Sequence, residues 1–230
     1  MQIHKQTFLW LIPLLLMALA APLTLQIDPQ LSQLAFEKGG GAFPSHALLD
    51  FFYHYGVVPG QLLIMASLGA LLLSYTVKRC KTWRQHALYL LLTLAVGAGF
   101  ITHTLLKDHW GRPRPRQVIA FGGQQPFRPF WQSQIVDQPE PSKSFPCGHC
   151  TMGFAFFSLY FLGRRLNKPA ISASGLLIAF PLGTALGITR IMQGGHFFSD
   201  VLMSALIMWL TACAFDWLIY ENTALPKEIK

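Results

Sequence analysis

The chain has 230 residues, of which 52% are hydrophobic and 12% charged, and it carries a formal net charge of +8. Soluble domains average about 25% charged residues, so an ordinary soluble domain is excluded, and so is a disordered chain, which is polar and rich in charge. Four cysteines are too few for a disulfide scaffold, and the basic balance leaves nucleic acid, anionic lipid and an acidic substrate as open partner classes.

Crossing about 30 Å of hydrocarbon takes about 20 mostly apolar helical residues. Six segments are predicted to do so: Phe8–Leu25, Val57–Val77, Ala87–Leu106, Thr151–Gly163, Pro169–Ile188 and Val201–Tyr220. The fourth is short, and its helix is expected to begin within the preceding segment. None shows the alternation of a half-buried strand. The expected fold class is all-α: a single integral membrane domain over 1–230, built as a bundle of six transmembrane helices. Lys5 before an apolar run that reaches Ala18-Leu19-Ala20 also fits a cleaved signal peptide. The run exceeds a usual signal core, and Pro13 and Pro22 are tolerable in a membrane helix, so a retained helix is the preferred reading.

Basic residues set orientation. Lys78, Arg79, Lys81 and Arg84 follow the second segment, Arg164, Arg165 and Lys168 follow the fourth, and Lys5, Lys227 and Lys230 sit at the termini. With six spans these fall on one side, which is then cytoplasmic. The opposite side holds Lys38, Lys107, Arg112, Arg114, Arg116, Arg128, Lys143 and Arg190. Positive charge concentrated outside opposes the usual bias, and a bound anion is the simplest physical reason for it.

Two loops on that outer side carry the chemistry. One opens with Lys107-Asp108-His109-Trp110-Gly111-Arg112-Pro113-Arg114-Pro115 and closes with Phe145-Pro146-Cys147-Gly148-His149-Cys150. The other runs from Thr189-Arg190 to His196 and Asp200. Phosphoryl oxygens gain charge as an in-line displacement proceeds, and Lys107, Arg114 and Arg190 would cage them, arginine through its planar fork and lysine as a point charge. Gly148 would let backbone N–H groups approach the anion. His196 and Asp200 are four residues apart and share a helix face. The carboxylate there can fix the imidazole tautomer and stabilise the cation that forms, and His149 remains to protonate a leaving oxygen.

These residues resemble the type-2 phosphatidic acid phosphatase superfamily, which shares its site with vanadium haloperoxidases and glucose-6-phosphatase. That family has the motifs Lys-x6-Arg-Pro, Pro-Ser-Gly-His and Ser-Arg-x5-His-x3-Asp. Lys107 with Arg114-Pro115 matches the first. Pro146, Gly148 and His149 match the second, with Cys147 in place of serine, and Arg190, His196 and Asp200 match the third, with Thr189 in place of serine. The resemblance covers about residues 87–215. It implies a phosphatase needing no metal or cofactor, with a phosphohistidine intermediate on His196. The family serine donates a hydrogen bond to phosphate, and a Cys147 thiol would donate more weakly.

Lys107–Pro115 and Gln193–Val201 look most like bacterial lipid A phosphatases, particularly the 4'-phosphatase branch. Relatives acting on undecaprenyl diphosphate, phosphatidylglycerophosphate or phosphatidic acid are the alternatives. The resemblance thus implies a phosphorylated lipid substrate, a bacterial inner-membrane location with the site facing the periplasm, and no nucleic-acid partner. Oligomeric state has no signature.

The remaining features read as structural or secondary. Arg112 is assigned to lipid phosphate or solvent rather than the site, His103 to the bundle interior, and Asp108 and His109 to the surroundings. Cys147-Gly148-His149-Cys150 resembles a disulfide isomerase centre, which keeps a membrane thiol oxidoreductase as a remote alternative, and it also allows a disulfide that gates the site. A zinc site lacks a fourth-ligand pattern.

Overall fold

The computed structural model describes residues 2–134 and 140–220, with side chains from Thr7 onward. Lys227, Lys230 and the Lys5 side chain, expected to mark topology, lie outside that description. The elements in chain order are α1 (Gln2–Lys38), α2 (Ala47–Tyr55), α3 (Val58–Thr76), α4 (Arg84–Leu94), α5 (Gly148–Phe154), α6 (Phe157–Arg165), α7 (Pro169–Met192) and α8 (Phe198–Tyr220). α4 continues without a break as a π-helix over Ala95–Lys107. Among the described residues there is no strand, only the isolated pairing of Val118 with Gln125. The all-α expectation holds.

Among the described residues, five helical stretches are long and apolar enough to cross a membrane: Thr7–Lys38, Ala47–Thr76, Lys78–Lys107, Pro169–Met192 and Phe198–Tyr220. Their outward residues are apolar, as at Leu19 (71% exposed) and Leu177 (73%), which suits contact with lipid. The predicted fourth span, Thr151–Gly163, is divided. α5 and α6 meet at a turn at Ala155 and Phe156, and neither is long enough to cross alone. α7 packs closely along both pieces. A Cβ at Gly153 would lie 2.6 Å from the Gly183 Cα, and one at Gly175 would lie 2.9 Å from the Phe156 carbonyl oxygen. Small residues permit this approach of helix backbones.

α1 outruns its predicted end at Leu25 by more than three turns, passing Pro13, Pro22 and Pro29 without a break. The extension places Asp28 in the interior, where it is fully buried. Upstream of Ala18–Ala20, the Leu9 carbonyl accepts a hydrogen bond from Trp209 Nε1 at 2.9 Å, so the first apolar segment packs on α8.

The main core gathers Leu94, Phe154, Phe157, Leu186 and Met208 between the central helices. At the end of the bundle away from the candidate site, Arg165 grips Asp216 through two hydrogen bonds of 2.6 and 2.8 Å, tying α6 to α8. At the other end, Phe121 and Phe197 pack with Phe36, Phe43 and Phe127. This aromatic cluster seats the loop after the π-helix against the end of α1 and the start of α8.

Candidate active site

The loop before α8 positions His196 through its backbone surroundings. His196 is 1% exposed, and its Nδ1 lies 2.5 Å from the Ser144 carbonyl oxygen. A carbonyl only accepts, so Nδ1 carries the proton and Nε2 keeps its lone pair. Asp200 Oδ2 stands 3.6 Å from Nδ1, beyond hydrogen-bond reach, and acts on the ring by charge. The tautomer is therefore set by Ser144 directly and by Asp200 at one remove. Ser144 Oγ donates to Asp200 Oδ2 at 2.6 Å, and the Phe197 N–H donates to the same oxygen at 2.8 Å.

Arg112 differs from its expected place. It is fully buried, with one Nη donating to Asp200 Oδ1 at 2.5 Å and the other to Asp28 Oδ2 at 2.8 Å. Ser199 Oγ accepts a further bond, and the Arg128 carbonyl accepts from Nε. The guanidinium also lies 4.4 Å from the Phe197 ring centroid. An arginine so enclosed needs paired carboxylates to offset its desolvation, and the forked guanidinium reaches two at once. Asp28 is held in turn by the Ser199 N–H at 2.8 Å and by Ser199 Oγ at 2.5 Å. A chain of contacts thus runs from α1 through Arg112 and Asp200 to Ser144 and His196.

His149 sits in the first turn of α5, half-buried, with its ring stacked on Tyr53 at a centroid distance of 4.6 Å. Burial pushes its pKa down to about 4, and the charges of Arg190, Lys107, His103 and Arg114 push the same way. Lys107, Arg114 and Arg190 thus all stand near enough to His149 to act on its charge. A Cβ at Gly148 would lie 2.7 Å from His103 Nε2 and 3.4 Å from Lys107 Nζ, so glycine is what admits the His103 ring there, with the ammonium beside it. His103 accordingly stands beside Gly148 rather than inside the bundle. For His196, burial is the main cause of a pKa lowered to about 3; Lys107 and Arg190 add to it and Asp200 opposes it. Arg114 is lowered chiefly by burial and then by Arg116, with Tyr53, Asp200 and Glu140 opposing.

Arg190 is buried and bonded to Gln193 Oε1 at 2.7 Å, and among the described residues its Nε has no hydrogen-bond partner. Gln193 is backed by Asp50 at 3.4 Å, and the Arg190 guanidinium lies 4.7 Å from the Tyr53 ring centroid. Asp50 and Tyr53 are three residues apart on α2 and so share a face. An orphaned buried guanidinium N–H among three cations and two neutral histidines fits a phosphate oxyanion.

Cys147 departs from the weak-donor role expected of it. It forms a disulfide with Cys150, and both are fully buried. Its sulfur has no proton to give, and its backbone N–H is spent on the Asp200 carbonyl at 3.3 Å. Burial also withdraws the pair from exchange with other thiols, which removes the basis for a thiol oxidoreductase. Asp108 pairs with Lys143 on the surface. Among the described residues, no group of three or more His, Cys, Asp or Glu is placed to hold a metal ion.

Sequence reasoning missed Asp28, Ser144 and Tyr53. Asp28 left a readable signal, being an ionisable residue three positions past a hydrophobic run. Ser144 acts through its carbonyl, and Tyr53 on a separate short helix carried no motif.

The family model of the PAP2 superfamily matches residues 86–224, more than half of the chain. Curated relatives include a lipid A 4'-phosphatase of Francisella tularensis subsp. novicida (strain U112), 33% identical over 146 residues, covering 64% of this chain and 62% of that protein. A lipid A 4'-phosphatase of Rhizobium leguminosarum is 30% identical over 124 residues, covering 52% of this chain and 47% of that protein. One of Rhizobium etli is 28% identical over 123 residues, covering 52% and 42%. The chain thus spans less than two thirds of the length of these relatives. No solved structure matches it significantly.

Proposed function

The chain belongs to the PAP2 superfamily, and from that footing we propose that it is a membrane lipid phosphatase acting on a phosphate monoester of an amphiphile such as lipid A. The observation that carries this reading is His196. Its Nδ1 is committed to the Ser144 carbonyl, which leaves the Nε2 lone pair as the nucleophile, and Lys107 and Arg190 are near enough to act on the ring by charge. Nε2 attacks phosphorus, a P–N bond forms, and the P–O ester bond breaks. His149, which takes up a proton as the phosphate dianion binds beside it, delivers that proton to the departing alkoxide. Water then attacks phosphorus while His149 takes a proton from it, the P–N bond breaks, and phosphate leaves. Lys107, Arg114 and Arg190 hold the phosphoryl oxygens in both steps, so catalysis is mainly electrostatic. No metal is assigned a role.

An apolar groove supports a lipid substrate over a soluble ester. It has a volume of about 270 Å³ and is lined by Ile64, Leu91, Leu94, Ala98, Gly99 and Met152, among others, and His103 lines it too. His103 lies beside Gly148 and Lys107, so the groove abuts the phosphate cage. Its volume is below the roughly 300 Å³ of the smallest typical ligand pockets, which suits part of an acyl chain and not a headgroup.

In this reading Thr151–Gly163, shared between α5 and α6, makes the sixth crossing. Lys78, Arg79, Lys81, Arg84, Arg164, Arg165 and Lys168 lie on the cytoplasmic side of a bacterial inner membrane, and the site faces the periplasm. The test is mass spectrometry of total lipids from cells expressing the protein or its His196→Ala variant. Loss of one phosphate from lipid A only with the intact protein supports the proposal. Unchanged lipid phosphates in both would overturn it.

A further inference from the structure

α2 belongs to none of the motifs, yet it reaches the centre of the site. Its residue Tyr53 is half-buried, with its ring stacked on His149 at 4.6 Å and the Arg190 guanidinium 4.7 Å from its centroid. The ring therefore touches both the proposed proton donor and one of the phosphate clamps. Its phenol is also close enough to Arg114 to act on it electrostatically. Among the described residues the Tyr53 hydroxyl makes no hydrogen bond, and neither does Nε of the Arg190 guanidinium that faces its ring.

The side-chain donors proposed for the cage, Lys107, Arg114 and Arg190, are otherwise all cationic. Cys147, where a hydroxyl or thiol would donate, is closed into a disulfide with Cys150. We propose that Tyr53 is a further catalytic residue: its hydroxyl donates a hydrogen bond to a phosphoryl oxygen, and its ring holds His149 and Arg190 in register around the same group. A phenol suits this place because it is a neutral donor that adds no charge to an already crowded cation set. The stacked ring fixes the direction of the O–H, so little freedom is lost when substrate binds. The proposal rests on the phosphatase reading, since it presumes a phosphoryl group between Arg114, Arg190 and His149.

Tyr53→Phe is the direct probe, because it keeps the ring and its stacking and removes only the hydroxyl. A hydrogen bond to a charged group is worth about 1.5 kcal/mol or more, which is about tenfold. Phosphate release from lipid A in detergent should fall about tenfold or more in kcat/KM. The dissociation constant for orthovanadate, measured by calorimetry on the full chain, should rise by a similar factor. Tyr53→Leu, which also loses the stacking, should fall further. Activity and vanadate affinity of Tyr53→Phe within twofold of the unaltered protein would overturn the assignment. Vanadate binding keeps the two ideas separable: if the unaltered protein releases no phosphate, the phosphatase reading fails, while the Tyr53→Phe affinity still tests the hydroxyl against an oxyanion.

Discussion

Replacing Asp28 by Asn tests whether α1 belongs to the catalytic apparatus or only braces it. Asp28 Oδ1 accepts from the Ser199 N–H, and Oδ2 accepts from Arg112 and from Ser199 Oγ. An asparagine keeps one acceptor, presents a donor where the other stood, and removes the charge. Breaking a fully buried ion pair costs ~3–5 kcal/mol, and Arg112 retains Asp200, so about 3 kcal/mol is expected. For a chain of this size that lowers the melting temperature by about 6–12 °C. The catalytic effect has a separate origin. With one carboxylate left, Arg112 draws Asp200 away from Ser144, whose carbonyl orients His196. Misplacing a reacting group by about 1 Å costs about 100-fold. The expected outcome in a phosphate-release assay is a kcat about 100-fold lower with KM nearly unchanged, because Lys107, Arg114 and Arg190 do not touch Asp28. Arg112→Lys should show the same split, since one ammonium cannot bridge both carboxylates. A kcat within twofold of the unaltered protein, with the melting temperature lowered, would reduce Asp28 to a structural strut and refute the reasoning.

Three further outcomes follow from the geometry. Burial lowers the His149 pKa to about 4, with Arg190, Lys107, His103 and Arg114 acting in the same direction. The ring is therefore neutral across about pH 5 to 8, and a bound phosphate dianion raises its pKa toward that window. Phosphate binding should then take up protons, more so as pH falls from 7 to 5, and calorimetry in two buffers of different ionisation enthalpy should find the uptake lost in His149→Gln. A Cβ at Gly99 would meet nothing within 4 Å, so Gly99→Leu should fill the apolar groove without moving the fold. At ~0.8 kcal/mol per methylene, displacing two methylenes should lower kcat/KM for a long-chain lipid about tenfold while leaving a water-soluble phosphate ester unaffected; equal losses for both would place the acyl chain elsewhere. Incubation with EDTA followed by gel filtration should leave phosphate release unchanged, and restoration of a lost rate by added divalent cation would contradict the histidine chemistry.

Residue type and spacing in the sequence singled out the candidate site residues that are proposed to act through their own side chains. Lys107, Arg114, His149, Arg190, His196 and Asp200 lie in or beside two connections between helices, and the charges of Lys107 and Arg190 reach both His149 and His196. The apolar runs disclosed most of the helices, since hydrocarbon crossing imposes a length that composition reveals. Features that depend on tertiary contact stayed hidden. α1 continues past its apolar stretch to carry Asp28 to Arg112, a pairing across most of a hundred positions. The break at Ala155–Phe156 occurs where α7 crosses closely, and nothing local to that run announces it. Arg112 lies two residues from Arg114 in a repeated Arg-Pro pattern, yet one points to paired carboxylates and the other to the cage. Only the fold separates them.

The central claim is that His196 carries the phosphoryl group. Rapid-quench reaction of the purified chain with lipid A bearing radiolabelled phosphate measures it most directly. Covalent label approaching one phosphate per chain, localised to the peptide holding His196 and absent from His196→Ala, is the expected result. Phosphate release without any labelled protein intermediate, or label that persists in His196→Ala, would contradict it.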